Sequence, residues 1–272
     1  MIVFPNCKIN LGLTILRKRE DGFHDLETVF YPVALQDGLE IIQNEEPSTD
    51  IEFSTSGLKV EGNLSDNICI QAYRLLKKDF PQLPSVKIHL HKTIPIGAGL
   101  GGGSADGAFT LVLLNKKFNL QLNEEKLINY ASLLGSDCPF FIKNIPCFGG
   151  GRGELLEELT LDLSAYKIAI VNPSIHINTG WAFSQITPSA NKPSLKEIIM
   201  QPADQWKASL VNDFEFPIGR QHTEIPEIKN SLYNSGAVYA SMTGSGSTVF
   251  ALFPKEAQPV LSFPTHYFVK II

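Results

Sequence analysis

A chain of 272 residues is longer than one typical domain and matches two closely packed ones. Hydrophobic residues at 43% and charged residues at 19% supply enough apolar material for buried cores, which excludes a disordered chain. A net charge of −5 argues against a basic face for nucleic acid, yet it leaves room for a phosphate ligand held by backbone N–H groups and magnesium.

The chain opens on strands. KINLGLTIL alternates apolar and polar positions, REDGFH follows as a turn, and LETVFYPVAL and GLEIIQ resume the extended pattern. A helix begins near Ser65 or Asp66, either of which is a suitable cap, with Ile68, Ala72, Leu75 and Leu76 along one stripe. Val86 to His91 reads as a strand and runs directly into IPIGAGLGGGSADGA. Beyond the glycines, Ala105, Ala108, Phe109 and Val112 show helical spacing, and Glu124 to Leu134 form a second amphipathic helix stopped by Gly135. FGGGRGE (148–154) reads as a boundary or hinge. KIAIVNP is then a strand, followed by a loop through Thr179, a helical stretch from about Leu195, and a helix ending near Asn234. GAVYASMTGSGSTVFALF reads as two strands joined by a glycine–serine turn, and HYFVKII closes as a strand. The pattern is α+β in two halves, residues 1–152 and 153–272.

No apolar run approaches the roughly 20 residues of a membrane helix. The opening MIVFPNCKIN lacks the basic, apolar and small-residue regions of a secretion signal, so it reads as the start of the fold. Cys7, Cys69, Cys138 and Cys147 show no CxxC pair and no metal spacing, which points to a reduced, cytoplasmic setting. His89 and His91 share one strand face without a third ligand nearby and read as structural.

Gly97, Gly99, Gly101, Gly102 and Gly103 fall within seven residues. Each costs on the order of 1 kcal/mol of ordering relative to alanine, so such a run between a strand and a helix implies a return. Close approach of main-chain N–H groups to an anion at a helix N-terminus is that return. Gly97, Gly99 and Gly102 satisfy GxGxxG, but the window where a dinucleotide fold needs an acidic strand end is NLQLNEEKL, which enters another helix. Gly97 and Gly102 also fit the outer spacing of a Walker loop, although Gly103 stands where its lysine must be. The protein-kinase set of VAIK, HRD and DFG is absent.

PIGAGLGGGSADGA resembles the phosphate loop of the galactokinase, homoserine, mevalonate and phosphomevalonate (GHMP) kinase superfamily. NCKINLGL and MTGSGSTVFALF resemble two further motifs of that group, in the expected order. KINLGLTILRKREDGFHDLETVF, LGSDCPFF and VNDFE are most similar to the branch that phosphorylates a cytidyl alcohol. The resemblance implies a two-domain fold: an N-terminal nucleotide-binding α+β domain and a C-terminal ferredoxin-like α+β domain. It implies an ATP-dependent kinase acting with magnesium, with Lys8 and Asp137 as the catalytic pair. Asn67, Lys92, Gly97, Gly99, Gly101, Gly102, Gly103 and Ser104 would hold ATP, and Ser104 would also ligate the metal. Asn10, Phe23, His24, Thr179 and Phe183 would contact the cytidyl substrate, with Phe23 and Phe183 on the two faces of the base. Gly244, Ser245, Gly246 and Ser247 would support the pocket.

Cys7, Phe23, Ala105 and Gly107 depart from the residues usual in that branch. None removes a group the chemistry needs, though Phe23 loses a hydroxyl and Ala105 a phosphate or metal contact. Two other readings remain: a sister kinase acting on homoserine or mevalonate, and a nucleotide-binding regulator that has lost catalysis. The DGFH segment with Phe183 speaks against the first, and intact Lys8 and Asp137 against the second.

Overall fold

The computed structural model describes residues 1–45, 49–60, 62–189 and 193–272. In chain order the elements are β1 (Ile2–Val3), β2 (Asn6–Lys18), β3 (His24–Gln36), β4 (Gly38–Gln43), β5 (Ile51–Gly57), α1 (Ile68–Asp79) and β6 (Val86–Lys92). Next come α2 (Gly102–Phe118), α3 (Glu124–Leu134), α4 (Cys138–Lys143), β7 (Cys147–Gly150), β8 (Leu155–Glu158) and β9 (Tyr166–Asn172). The rest are α5 (Thr179–Ser184), α6 (Leu195–Ile199), α7 (Glu215–Gln221), α8 (Glu224–Asn234), β10 (Tyr239–Met242), β11 (Val249–Pro254) and β12 (Phe268–Ile271). They form two compact units interleaved along the chain. One comprises Met1–Cys7, Ala34–Ile96 and Gly101–Asn144; the other comprises Lys8–Val33, Gly97–Leu100 and Ile145–Ile272.

In the first unit a sheet of order β1-β4-β6-β5 carries the helices, with β5 and β6 parallel. The period of two along β6 buries Val86, Ile88 and Leu90 and turns Lys87, His89 and His91 outward. His89 and His91 bond Ser54 and Ser56 on the neighbouring strand. Helix α1 is capped by Asn67, whose side chain accepts the Cys69 N–H at 2.9 Å. The expected caps, Ser65 and Asp66, instead lie in a preceding 3-10 turn. Helix α2 departs from the expected amphipathic stripe. It touches α1, α3, α4 and β4, so Asp106, Thr110, Leu111, Leu113 and Leu114 are buried while Phe109 and Val112 are only partly so. Gly107 permits the closest of these contacts, since a Cβ there would lie 2.7 Å from Ile68 Cγ1.

In the second unit β10-β11-β9-β12 form an antiparallel sheet with the strand order of a ferredoxin-like fold. Helix α8 packs on it, and Ile225, Ile228 and Leu232 join Val171, Met242, Val249 and Phe253 in one buried cluster. The third sheet, β2-β3-β7-β8, revises the reading of FGGGRGE as a hinge. That segment is strand β7 and a hairpin turn, paired Thr28↔Gly149 to β3. Gly149 is small because the Phe30 ring lies over it, with Cε2 2.6 Å from where a Cβ would be.

Candidate active site

The glycine loop alternates. Gly97, Gly99 and Gly101 have φ of 67°, 79° and 69°, and the residues between them, Ala98 and Leu100, point into the protein. L-residues rarely adopt those angles, so the alternation accounts for three of the five glycines. Gly101 is the N-cap of α2 and offers no side chain, so no side-chain cap satisfies the first-turn amides of a helix 17 residues long. Gly102 is small for packing: a Cβ would meet Ile94 Cγ2 at 2.9 Å. Gly103 is exposed, with nothing within 4 Å of the Cβ position, which leaves space over the helix start for an anion.

The loop tip is braced by main chain. A Cβ on Gly99 would lie 2.1 Å from the Thr243 carbonyl oxygen, and one on Gly246 would lie 2.3 Å from Ala98 C and Gly99 N. The GSGS turn after β10 is therefore seated against the loop backbone, a contact only two glycines allow. The turn is itself pinned by Asn212 of the VNDFE segment, whose Nδ2 donates to the Met242 and Gly244 carbonyls at 2.9 Å each. Ser247 donates to the Ile175 carbonyl, and Ser245 Oγ lies 3.2 Å from Thr179 Oγ1 at the start of α5. The segment through Thr179, expected as a loop, opens this short helix because Asn178 caps the Trp181 N–H.

Lys8 is 3% exposed and tied to the same tip. Its backbone N–H donates to the Leu100 carbonyl at 2.9 Å, and its Nζ donates to Gly99 O at 3.0 Å and to Asn10 Oδ1 at 2.5 Å. Asn10 is buried and donates to Thr28 Oγ1, while its backbone N–H donates to Thr243 Oγ1. The Thr243 hydroxyl has one hydrogen to give and two acceptors in reach, Asn10 Oδ1 at 3.1 Å and Gly99 O at 3.2 Å. Asn10 thus orients Lys8, a role beside the substrate contact the resemblance implies. Thr28, Thr243 and Asn212 were not singled out in the sequence, although each lies in a quoted motif: Thr28 in KINLGLTILRKREDGFHDLETVF, Asn212 in VNDFE and Thr243 in MTGSGSTVFALF.

In the first unit Asp137 precedes α4, half-buried, with its side chain not spent as a helix cap. Ser104, in the first turn of α2, lies beside the Cys138 thiol. Burial pushes the Cys69 and Cys138 thiols up to about 12, which leaves them unreactive. Lys92 is 4% exposed and ion-paired with Asp37 and Asp106. Desolvation works to lower its pKa, but the two carboxylates, Asp106 foremost, outweigh it and raise the ammonium above its usual range. Desolvation likewise pushes the Asp106 carboxyl up to about 7, against the opposing pull of Lys92.

The aromatic candidates gather in the second unit. His24 lies flat on Phe183, centroids 4.8 Å apart at 19°, and Phe183 meets Phe214 edge-on at 4.9 Å. Phe23 is 53% exposed, with the Arg152 guanidinium 4.8 Å from its ring centroid. The imidazole therefore covers a Phe183 face that the sequence reading reserves for a base. Among the described residues, no group of three or more His, Cys, Asp or Glu has metal-binding geometry. Magnesium bound through phosphate oxygens needs only one or two protein oxygens, and the half-buried Ser104 hydroxyl at the helix start fits that requirement.

Residues 67–144 match the GHMP kinases N terminal domain, and residues 192–268 match the GHMP kinases C terminal domain. A 4-diphosphocytidyl-2-C-methyl-D-erythritol kinase of Bacteroides fragilis is 52% identical over 256 residues, which cover 94% of this chain and 93% of that protein. A solved structure of a 4-(cytidine 5'-diphospho)-2C-methyl-D-erythritol kinase superposes with a TM-score of 0.79 at 30% identity, over 93% of this chain and 90% of that one. The mevalonate kinase of Methanococcus jannaschii shares the fold, with a TM-score of 0.68 at 14% identity over 94% and 92% of the two chains. On that coverage and identity, the chain belongs to the 4-diphosphocytidyl-2-C-methyl-D-erythritol kinase family of ATP-dependent GHMP kinases.

Proposed function

We propose that the protein transfers the γ-phosphoryl group of ATP to the 2-hydroxyl of 4-diphosphocytidyl-2-C-methyl-D-erythritol, giving the 2-phosphate and ADP for isoprenoid precursor synthesis. The observation that carries the substrate assignment is 52% identity, over nearly the whole chain, to a kinase of that name. The sister kinases act on homoserine or mevalonate, and their solved structures are similar at only 13–15% identity, a likeness of fold alone.

Phosphoryl transfer depends on positioning and charge neutralisation more than on covalent help. The amides at the start of α2 cradle the phosphates, and Lys8 offsets charge on the transferring group. Asp137 orients the substrate hydroxyl and takes its proton late, as the phosphorus–oxygen bond forms. Magnesium, when bound, neutralises phosphate charge, with Ser104 as its protein ligand. His24, Phe183, Phe23 and Thr179 receive the cytidyl group, and stacking on a flat base suits the two rings. The division into an ATP-binding part to residue 152 and a substrate-binding part beyond it belongs to the same proposal, with the exception that Phe23 and His24, which fold with the second unit, join the substrate-binding part; a cytoplasmic location belongs to it too. For location, the supporting fact is that no described helix is long and apolar enough to cross a membrane.

A coupled assay for ADP release, run with the cytidyl alcohol, homoserine, mevalonate and no alcohol, tests the reading. ADP release that depends on the cytidyl alcohol is expected. Preference for homoserine or mevalonate would overturn the substrate assignment, and equal release without any alcohol would overturn the kinase role.

A further inference from the structure

The period of two along β6 places Lys92 on the same inward face as Val86, Ile88 and Leu90. A lysine at an apolar position must find anions, and Lys92 finds two. Asp37, in the turn between β3 and β4, pairs with its Nζ, and Asp106, in the second turn of α2, accepts from it at 2.8 Å. Asp37 does more: its Oδ1 accepts the backbone N–H groups of Thr93 at 2.6 Å and Ile94 at 2.9 Å, where the chain leaves β6 for the glycine loop. The first turn of α2, where the chain leaves that loop, rests on the same group. A Cβ on Gly102 would lie 2.9 Å from Ile94 Cγ2 and 3.4 Å from Lys92 Nζ. One buried ammonium thus joins the entry and the exit of the glycine loop.

Stability does not account for this arrangement. Two carboxylates share one ammonium, all three side chains are nearly fully buried, and Asp106 Oδ1 has no hydrogen-bond partner among the described residues. Burying ions costs several kcal/mol each before their attraction is counted, and an unsatisfied buried oxygen costs about 1–3 kcal/mol more. An apolar trio of similar volume would hold the fold as well. What such a trio lacks is direction: only the charged groups fix where Thr93, Ile94 and α2 sit relative to one another.

We infer that Asp37 and Asp106 are positioning residues for ATP, acting through Lys92 as a staple that holds the two ends of the phosphate loop and aims the amides at the start of α2. The inference rests on the loop's holding ATP. It gives Lys92 a different part from direct contact with the nucleotide.

Three variants test it: Asp106→Leu, Asp106→Asn and the double variant Lys92→Met with Asp106→Leu. The readouts are the KM for ATP and for the alcohol, kcat, thermal unfolding, and hydrogen exchange of amides 96–104 without nucleotide. With the staple, Asp106→Leu raises the ATP KM about tenfold or more through misplaced amides, leaves the alcohol KM unchanged, and speeds exchange in the loop. Asp106→Asn, which keeps an acceptor for Lys92, restores the ATP KM. The double variant also loses the Asp37 pair, yet it matches Asp106→Leu within about twofold, because parting Lys92 from Asp106 already separates the loop's entry from its exit, and Asp37 keeps its bonds to the Thr93 and Ile94 amides. An unchanged or lowered ATP KM in Asp106→Leu, where the lysine is released, would overturn the staple. A further loss in the double variant would also overturn it, since Lys92 would then be acting on ATP directly. Should Asp106→Leu fail to fold, Asp37→Asn carries the same test: a raised ATP KM with an unmoved alcohol KM supports the staple, and an unmoved ATP KM ends it. A native chain that binds no ATP would undo the kinase reading instead, and loop exchange in the variants would still decide the staple.

Discussion

The loop tip and the aromatic group around Phe183 lie in the same compact unit but are held by different physics. At the tip, main chain presses on main chain: Gly99 against the Thr243 carbonyl, Gly246 against Ala98 and Gly99, and Lys8 bonded to Gly99 and Leu100. Around Phe183, rings lean on rings, with His24 stacked and Phe214 edge-on, and in the same unit Phe23 is largely exposed beneath Arg152. Main chain packed so closely that an added Cβ would lie 2–3 Å from it has no slack, whereas a half-exposed ring can change rotamer at little cost. The part proposed to serve a polyanion is rigid, and the part proposed to recognise a base is adjustable.

The sharpest way to break this contrast is Gly99→Ala. The new Cβ meets a φ of +79° and a carbonyl oxygen at 2.1 Å, neither of which can yield without moving a strand end. Turnover should fall by about a hundredfold or more as Lys8 and the tip shift together, and thermal unfolding should show a large loss of stability. Gly103→Ala is the control of opposite sign. Its Cβ enters open space on a helix, so stability should rise by about 0.5–1 kcal/mol. The ATP KM should rise too, because that space is where the phosphates are proposed to lie. Equal behaviour of the two variants in turnover and melting assays would mean the tip is not braced as described.

Thr243→Val should have an intermediate effect. It keeps the volume and removes the hydroxyl shared among the Asn10 N–H, Asn10 Oδ1 and Gly99 O. An unpaired buried N–H costs about 1–3 kcal/mol, and kcat should drop tenfold or so with both KM values nearly unchanged, since the loss falls on the direction of the Lys8 ammonium. A rise in ATP KM alone would show the hydroxyl to be serving the loop and not the lysine.

How much of this was legible depends on how local the signal is. Helix α3 was read to its ends because its stripe is periodic and Gly135 stops it, and the structure adds the cap, Asn123. Which glycines of the run hold positive φ, namely Gly97, Gly99 and Gly101, emerges only in the structure; that the run costs ordering and implies a close approach followed from residue type alone. The need for glycine at 99 and 246 did not, because the partner strand lies some 145 residues away and only packing reveals it. FGGGRGE misled in the same way: its glycines serve the Phe30 ring and a hairpin turn and not a hinge. The staple around Lys92 joins positions 14 and 55 residues distant. One trace of it was in the sequence, a lysine in phase with the apolar face of β6, and a period-two reading carried one residue further would have marked it as buried.

On the adjustable side, Phe183→Ala should raise the KM of the cytidyl alcohol about tenfold, on the scale of one lost base–aromatic stack, while the ATP KM stays put. Equal rises in both would indicate general destabilisation through the lost contact with Phe214.

The smallest effect expected concerns His24. Its pKa is lowered, first by burial against Phe183 and then by the positive charge of Lys18. A lowered folded-state value means that the unfolded chain takes up the proton first as pH falls. The stability supplied by the neutral, stacked imidazole is therefore complete above the ordinary histidine range, near pH 6.5, and is lost as pH drops from there toward the folded-state value. Melting temperature followed from pH 7.5 to 5.5 should decline slightly more for the native chain than for His24→Phe, which keeps a stacking ring without a titrating nitrogen. The comparison between the two chains cancels the other histidines. If the two profiles run parallel, the imidazole is not stacked as a neutral ring, and the adjustable character of this region has to come from Phe183 and Phe23 alone.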